Sequence, residues 1–209
     1  MSRCLKGCSM VSKPSEQEMA TAERVPIPVK IVVAGGFGVG KTTFVNSISE
    51  IDPLRTEAAM TDRSLGVDEI NAATAKTDTT VAMDFGRITL GNDELILYLF
   101  GTPGQERFHF MWEELVKGAI GAVVLIDTTR LADSFAAIDF FEAKGMPFVV
   151  CVNCFHGAVR HQLEDVRSAL ALSASTPLFL TDAREMAATQ QALILLVQHA
   201  MAQARGAVH

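Results

Sequence analysis

Residues 29–42 read VKIVVAGGFGVGKT, and this stretch is the strongest indication of the fold. Gly35, Gly40, Lys41 and Thr42 satisfy the pattern G-x-x-x-x-G-K-[ST], directly after an apolar run and ahead of a helical segment. Glycines at this spacing let the backbone N–H groups point at phosphate oxygens, and the helix adds the positive end of its dipole. A glycine turn that merely packs a strand on a helix is the alternative, but the strand-to-helix placement favours phosphate binding.

The phosphate-binding loop predicts roles for individual residues. Lys41 brings positive charge to the β and γ phosphate oxygens, and the Thr42 hydroxyl is suited to ligate magnesium. The other loop residues that we expect to contact nucleotide are Gly35, Gly36, Phe37, Gly38, Val39, Gly40 and Thr43.

Apolar runs of strand character alternate with helical segments along the chain. The predicted strands are residues 29–34, 80–90, 94–100, 121–127, 147–152 and 177–180. The predicted helices are residues 42–49, 111–117, 132–144, 161–172 and 185–204. Apolar strands that alternate with helices indicate a mostly parallel sheet covered on both faces, whereas Gly91-Asn92-Asp93 predicts an antiparallel hairpin. We therefore expect an α/β P-loop NTPase fold with a six-stranded, mostly parallel sheet and one antiparallel edge strand.

Composition limits the possible partners and compartments. The chain has 209 residues, 49% of them apolar, and a net charge of −6, which disfavours nucleic acid and anionic membranes as partners. Residues 1–26 lack periodicity and predict a disordered N-terminal tail, followed by one domain over residues 27–209. The longest apolar run is about a third of a bilayer span, and no signal-peptide core is present, so we expect a cytoplasmic protein.

Four cysteines raise the question of metal or disulfide bonds. Cys151 and Cys154 have the CxxC spacing of many zinc sites, and Cys4 and Cys8 lie in the predicted tail. Cys151 closes an apolar strand and Cys154 stands in a loop with another predicted role. The pattern therefore favours free thiols.

Four further motifs carry a family resemblance: TTVAMDFGRI (79–88), LFGTPGQERF (99–108), DTTRLADSF (127–135) and DAR (182–184). With the phosphate-binding loop, they make residues 29–204 resemble the Ras-like small GTPases. Within that superfamily the chain looks most like a bacterial group related to the MglA polarity GTPases and the GTP-binding proteins of actinobacterial conservon clusters. The resemblance implies GTP/GDP binding with Mg²⁺, slow hydrolysis, and a signalling switch.

The resemblance also implies residue roles in the two switches. Thr80 would contact magnesium and the γ-phosphate, Gly104 would donate its backbone N–H to the γ-phosphate, and Gln105 would orient the attacking water. The alternatives are an ordinary strand residue for Thr80 and a solvated loop residue for Gln105. The connection over residues 50–79 is unusually long, which is typical of functional or mobile loops.

Two departures from the family pattern weaken this expectation. Gly101 stands where relatives carry a magnesium-holding aspartate, so we expect Mg²⁺ to bind weakly rather than not at all. The guanine-reading motif NKxD is represented by Asn153, Cys154, Phe155 and His156, and an imidazole in place of the carboxylate should reduce guanine preference.

The DAR motif, Asp182-Ala183-Arg184, resembles the last base contact of the family. Its Ala183 backbone N–H would bind the guanine oxygen and so partly compensate for the lost carboxylate at His156. No arginine finger is assignable. Three arginines near the switches are candidates, although each is more typical of a solvated charge: Arg63, Arg87 and Arg107.

The sequence leaves three functions open. The first is a GTP-hydrolysing switch, the second a nucleotide-holding or nucleotide-free scaffold that docks partners through its switch loops, and the third a P-loop ATPase or kinase. By resemblance, the partners would be a roadblock-domain protein and a membrane sensor-kinase-like protein, and the latter would recruit the chain to a membrane.

Overall fold

The computed structural model describes residues 25–52, 54–60, 79–90, 94–155 and 161–206, and for residues 54–60, 79–82 and 106–107 only the backbone. The strands are β1 (Ile27–Gly35), β2 (Leu54–Met60), β3 (Thr79–Leu90), β4 (Leu95–Gly101), β5 (Ala119–Ile126), β6 (Phe148–Asn153) and β7 (Leu178–Thr181). The α-helices are α1 (Lys41–Ile48), α2 (Trp112–Leu115), α3 (Phe135–Lys144), α4 (Leu163–Ala169) and α5 (Met186–Gly206). Two 3₁₀ turns, Glu106–Met111 and Leu131–Ser134, precede α2 and α3.

The strands form one sheet in the order β2-β3-β4-β1-β5-β6-β7. β1 lies at its centre and is parallel to β4 and β5, whereas β3 is antiparallel to both β2 and β4. The predicted α/β P-loop fold is confirmed, and all six predicted strands are present.

A seventh strand, β2, lies within the connection that we expected to be a long loop. Its sequence, LRTEAAM, is a mixture of charged, polar and small residues. It therefore lacks the apolar run by which the other strands were identified. As a result, the predicted edge strand β3 is the second strand from the edge, and β2 covers its outer side.

Helices cover both faces of the sheet and form one hydrophobic core on each face. Successive side chains of β1 point alternately into these two cores. Ile31 and Val33 pack with α1 and α5 on one face. Val32 and Ala34 pack with α2, α3 and α4 on the other. All four side chains are fully buried, as expected for a central parallel strand. The carboxyl end of β1 is therefore held rigidly from both sides.

Residues 1–24 of the predicted tail (1–26) and the predicted turn Gly91-Asn92-Asp93 lie outside the described residues. Three predicted helices are shorter in the structure: α2 has four residues, α3 has ten and α4 has seven. No helix within the described ranges is long and apolar enough to cross a membrane.

Candidate functional site

A pocket of about 330 Å³ opens at the carboxyl ends of β1 and β4. The phosphate-binding loop forms one wall, through Phe37, Gly38 and residues 40–43. Asp84 of β3 and residues 102–104 form the other. Ligands of open α/β sheets bind at this edge, so the structure brings the predicted loop and the GTPGQE motif together where a nucleotide is expected.

Lys41 is the principal cation of this pocket. Its ammonium donates hydrogen bonds to the carbonyl oxygens of Gly35, at 2.9 Å, and Gly36, at 2.7 Å. Burial lowers the pKa of Lys41 to about 8, and the nearby Asp84 carboxylate opposes this shift. An ammonium held this way lacks a full counter-charge, and a phosphate group would supply one.

Sequence reasoning missed Asp84, although the structure places it in the pocket. Its carboxylate oxygen Oδ2 accepts a 2.7 Å hydrogen bond from the Thr42 hydroxyl. Asp84 belongs to β3 and pairs in register with Gly101 of β4. An acidic residue inside the strand run TVAMDFG was the available signal, but only the strand pairing reveals what it faces.

Thr102, within GTPGQE, was also missed. Its side chain is 3% exposed and lines the same pocket, and its Oγ1 has no hydrogen-bond partner among the described residues. A buried hydroxyl without a partner is costly. The oxygens of Thr42 and Asp84 give the pocket hard donors of the kind that fits Mg²⁺.

Gly104 and Gln105 both lie beside the phosphate-binding loop. A Cβ built on Gly104 would stand 2.6 Å from the Lys41 Nζ and 2.9 Å from the Phe37 Cα, so this glycine already contacts the loop. Gln105 is exposed and lines a neighbouring cavity of about 360 Å³ together with Phe37 and Gly104. The indole of Trp112 donates to the Pro103 carbonyl at 3.3 Å and holds this segment against α2.

Thr80, the predicted magnesium ligand of the first switch, is described only by its backbone, which belongs to β3. It stands four residues before Asp84 on β3, which is about 13 Å along an extended strand. Its role stays a prediction. Of the arginine candidates, Arg87 lies three residues beyond Asp84 on β3, and the side chains of Arg63 and Arg107 lie outside what the structure describes.

A different arginine, Arg130, contacts the phosphate-binding loop. Its Nη2 donates to the Phe37 carbonyl at 2.8 Å. Asp127 and Asp133 lie on either side of its guanidinium, each at 3.6 Å. The contact braces the loop from the side of α3.

Asn153 connects three parts of the predicted base site. Its Nδ2 donates to the Val39 carbonyl at 2.8 Å, and its Oδ1 accepts from the Ala183 N–H at 3.0 Å. Both polar atoms therefore tie the phosphate-binding loop and the β7–α5 connection to the end of β6. The Ala183 N–H that we expected at the base is used in this contact.

The remaining base-site residues are polar or buried. Cys154 is 7% exposed, and its thiol pKa is raised by burial and by the Asp182 carboxylate. Asp182 accepts a bidentate ion pair from Arg184, with contacts of 2.6 and 2.9 Å. Asp182 is thus the carboxylate close to this end of β6, and His156 lies outside the described residues.

One family model and three relatives show what this chain is similar to. A family model described as "Conserved hypothetical ATP binding protein" matches residues 33–203. An uncharacterised protein of Methanocaldococcus jannaschii is 32% identical over 127 residues, which are 60% of this chain and 69% of that protein. Ras-related protein Rab-7b of Homo sapiens is 24% identical over 188 residues, 85% of each chain. The Ypt/Rab-type GTPase ypt7 of Pyricularia oryzae is 24% identical over 196 residues, 87% of this chain and 86% of that one.

Proposed function

The chain belongs to the family of conserved hypothetical ATP binding proteins and is a distant homologue of the Rab and Ypt GTPases, and on this basis we propose that it is a small GTP-binding switch with slow hydrolysis. The observation that carries the proposal is the contact of Gly104 with Lys41 and the phosphate-binding loop. In this arrangement a γ-phosphate would touch both the loop and the segment that begins at Gly101. Binding or loss of that phosphate would therefore change the conformation of residues on the protein surface.

The chain's own residues perform three tasks in this proposal. Lys41 and the N–H groups of its loop bind the phosphates, Asn153 holds the loop to the end of β6, and Gln105 orients the attacking water. Bound Mg²⁺ would neutralise phosphate charge, with the Thr42 hydroxyl as one ligand. Slow hydrolysis is part of this proposal because the resemblance to the small GTPases implies it.

An ATP-binding protein is the second candidate, and one observation favours it beyond the family description. Each polar atom of the Asn153 side chain makes one framework contact, so only one N–H and one oxygen lone pair remain for reading the base. The Asp182 carboxylate argues for guanine, because guanine presents two adjacent donors and adenine does not. Asp182 is paired with Arg184, so the two purines must be compared directly.

We also place the chain, as part of this proposal, in the MglA-like and conservon group. Its partners would be a roadblock-domain protein and a membrane sensor-kinase-like protein that bind through the segments around Thr80 and Gln105. Either partner would stimulate hydrolysis by supplying an arginine or by ordering Gln105.

Thermal unfolding with added nucleotide tests the function. With GTP and Mg²⁺ at about 100 times the dissociation constant, we expect about 2.7 kcal/mol of stabilisation, or about 5–10 °C in melting temperature. A larger shift with ATP than with GTP would support the second candidate. If neither nucleotide raises the melting temperature, the switch proposal is wrong. Mass spectrometry of nucleotide that co-purifies with the protein gives an independent result.

Gln105→Leu tests the hydrolytic role. We expect phosphate release to fall by about 10²-fold while GTP affinity stays within about threefold, because Gln105 acts on the water and not on nucleotide binding. Gln191→Leu, an exposed change of the same kind on α5, is the matched control and should leave both quantities unchanged. Equal turnover in Gln105→Leu and the wild type would remove Gln105 from this role.

A further inference from the structure

The space beside Gly101 is filled by the carboxylate of Asp84. These two residues face each other in the antiparallel pair of β3 and β4. A Cβ built on Gly101 would stand 3.0 Å from the Asp84 Cβ and 3.1 Å from its Oδ2. An aspartate at residue 101 would therefore crowd Asp84 and add a second negative charge within a few ångströms. The site accommodates one carboxylate, and in this chain Asp84 supplies it.

The Asp84 carboxylate is directed at the residue that P-loop proteins use for the metal. Its Oδ2 lies 2.7 Å from the Thr42 Oγ1. Adjacent ligands of an octahedral Mg²⁺ with bonds of 2.0–2.1 Å are about 2.9 Å apart, so the two oxygens already have nearly the spacing of neighbouring ligands. Lys41 and Thr102 line the same pocket.

We propose that Asp84 supplies the carboxylate of the magnesium site in place of the one missing at Gly101. This proposal rests on the nucleotide-binding function proposed above. On this proposal the carboxylate of the site has moved from β4 to β3 and has not been lost. The expectation of weak Mg²⁺ binding, which followed from Gly101 alone, is replaced by that of a site with its full complement of charge.

A structural role for Asp84 makes a different prediction. If the carboxylate only accepts the Thr42 hydrogen bond, an asparagine would serve as well, because its amide oxygen is also an acceptor. If the carboxylate balances the charge of Mg²⁺, the asparagine would fail. Asp84→Asn therefore separates the two roles with little change of shape.

The experiment uses the full chain loaded with fluorescent GDP. Nucleotide release is followed while free Mg²⁺ is set with EDTA, and the readout is the Mg²⁺ concentration that gives half-maximal retention. We expect Asp84→Asn to raise this concentration about 10- to 100-fold, the usual effect of losing a residue that supports a metal site. Release without Mg²⁺ should stay within about threefold of the wild type. Asp139→Asn, an exposed charge loss on α3, is the matched control and should leave both values unchanged.

The double variant Asp84→Gly with Gly101→Asp moves the carboxylate back to β4. We expect it to restore the half-maximal Mg²⁺ concentration to within about fivefold of the wild type, since the same space is filled from the opposite strand. Gly101→Asp alone should retain nucleotide less well than the double variant, because two carboxylates then compete for one space.

Three outcomes would overturn the proposal. An unchanged Mg²⁺ requirement in Asp84→Asn would leave Asp84 as a hydrogen-bond acceptor only, even though the nucleotide-binding function stands. Failure of the wild type to retain nucleotide with or without Mg²⁺ would overturn the proposed function, and this proposal with it. Faster release of Asp84→Asn in EDTA as well as in Mg²⁺ would point to a damaged phosphate pocket and would also contradict it.

Discussion

Lys41→Met is expected to reduce nucleotide affinity by about 30- to 3,000-fold, the largest effect of any substitution considered for binding. Removal of one partner from a buried, hydrogen-bonded charge pair costs about 2–5 kcal/mol, and each 1.4 kcal/mol is a factor of ten. Lys41 is 8% exposed and lines the phosphate pocket, so water cannot replace its ammonium there. Fluorescence titration with labelled GDP and GTP measures the loss.

The same substitution should leave the empty protein folded. Burial lowers the pKa of Lys41 to about 8, which means that the empty fold disfavours the charged ammonium relative to the unfolded chain. We therefore expect a melting temperature without nucleotide within a few degrees of the wild type. Lys30→Met on the same sheet is the matched control, since the Lys30 ammonium donates to the Lys117 carbonyl, away from the pocket. A Lys41→Met protein that is folded and binds nucleotide within threefold of the wild type would exclude Lys41 from phosphate binding.

Gly35→Ala is expected to destabilise the fold by about 2–6 kcal/mol. Gly35 ends β1 with φ +137°, a conformation that L-residues rarely adopt. A Cβ there would also stand 2.3 Å from the Leu125 carbonyl oxygen, which belongs to the backbone of the paired strand β5. Backbone strain and overpacking each cost about 1–3 kcal/mol, and neither strand can retreat without loss of the sheet hydrogen bonds. Urea unfolding at equilibrium measures the change.

Gly145→Ala measures the cost of a positive φ at a position where an added Cβ meets no other atom. Gly145 follows α3 with φ +60°, and a Cβ added there would meet no atom within 4 Å, so only backbone strain of about 1–2 kcal/mol is expected. The difference between the two variants is the cost of the contact with Leu125 together with the greater backbone strain of an L-residue at φ +137°. If Gly35→Ala were no more destabilising than Gly145→Ala, the close approach of β1 and β5 would not be the reason for glycine at this position.

Most of the fold was predictable because its signals are local. Each apolar run from β1 to β7, except β2, was long enough and apolar enough to identify. The central strands are buried over residues 31–35 of β1 and 121–126 of β5, as their composition indicates. β2 was missed because an edge strand exposes much of its surface and carries a mixed sequence. The predicted helices α2 and α4 were too long, since helical periodicity does not indicate where the last turn ends.

The candidate site was predictable in part. The residues of the phosphate-binding loop are contiguous, so their spacing identified Lys41 and Thr42, and GTPGQE identified Gly104. Asn153 was expected at the base, whereas the structure shows that its side chain holds the loop and Ala183 in place. Arg130 and Thr102 were not expected, because neither belongs to a motif whose spacing reveals a contact.

The amino-acid sequence alone specified a phosphate-binding loop on a mostly parallel α/β sheet, because a contiguous motif and the period of apolar residues specify backbone geometry directly. The three-dimensional structure was needed to show that Asp84, 42 residues from Thr42 along the chain, fills the space beside Gly101. Strand register controls such a contact, since a shift by one residue would turn the Asp84 side chain to the other face of the sheet. GTPGQE lacks the expected carboxylate at Gly101, but in three dimensions the Asp84 carboxylate of the neighbouring strand fills the space beside it.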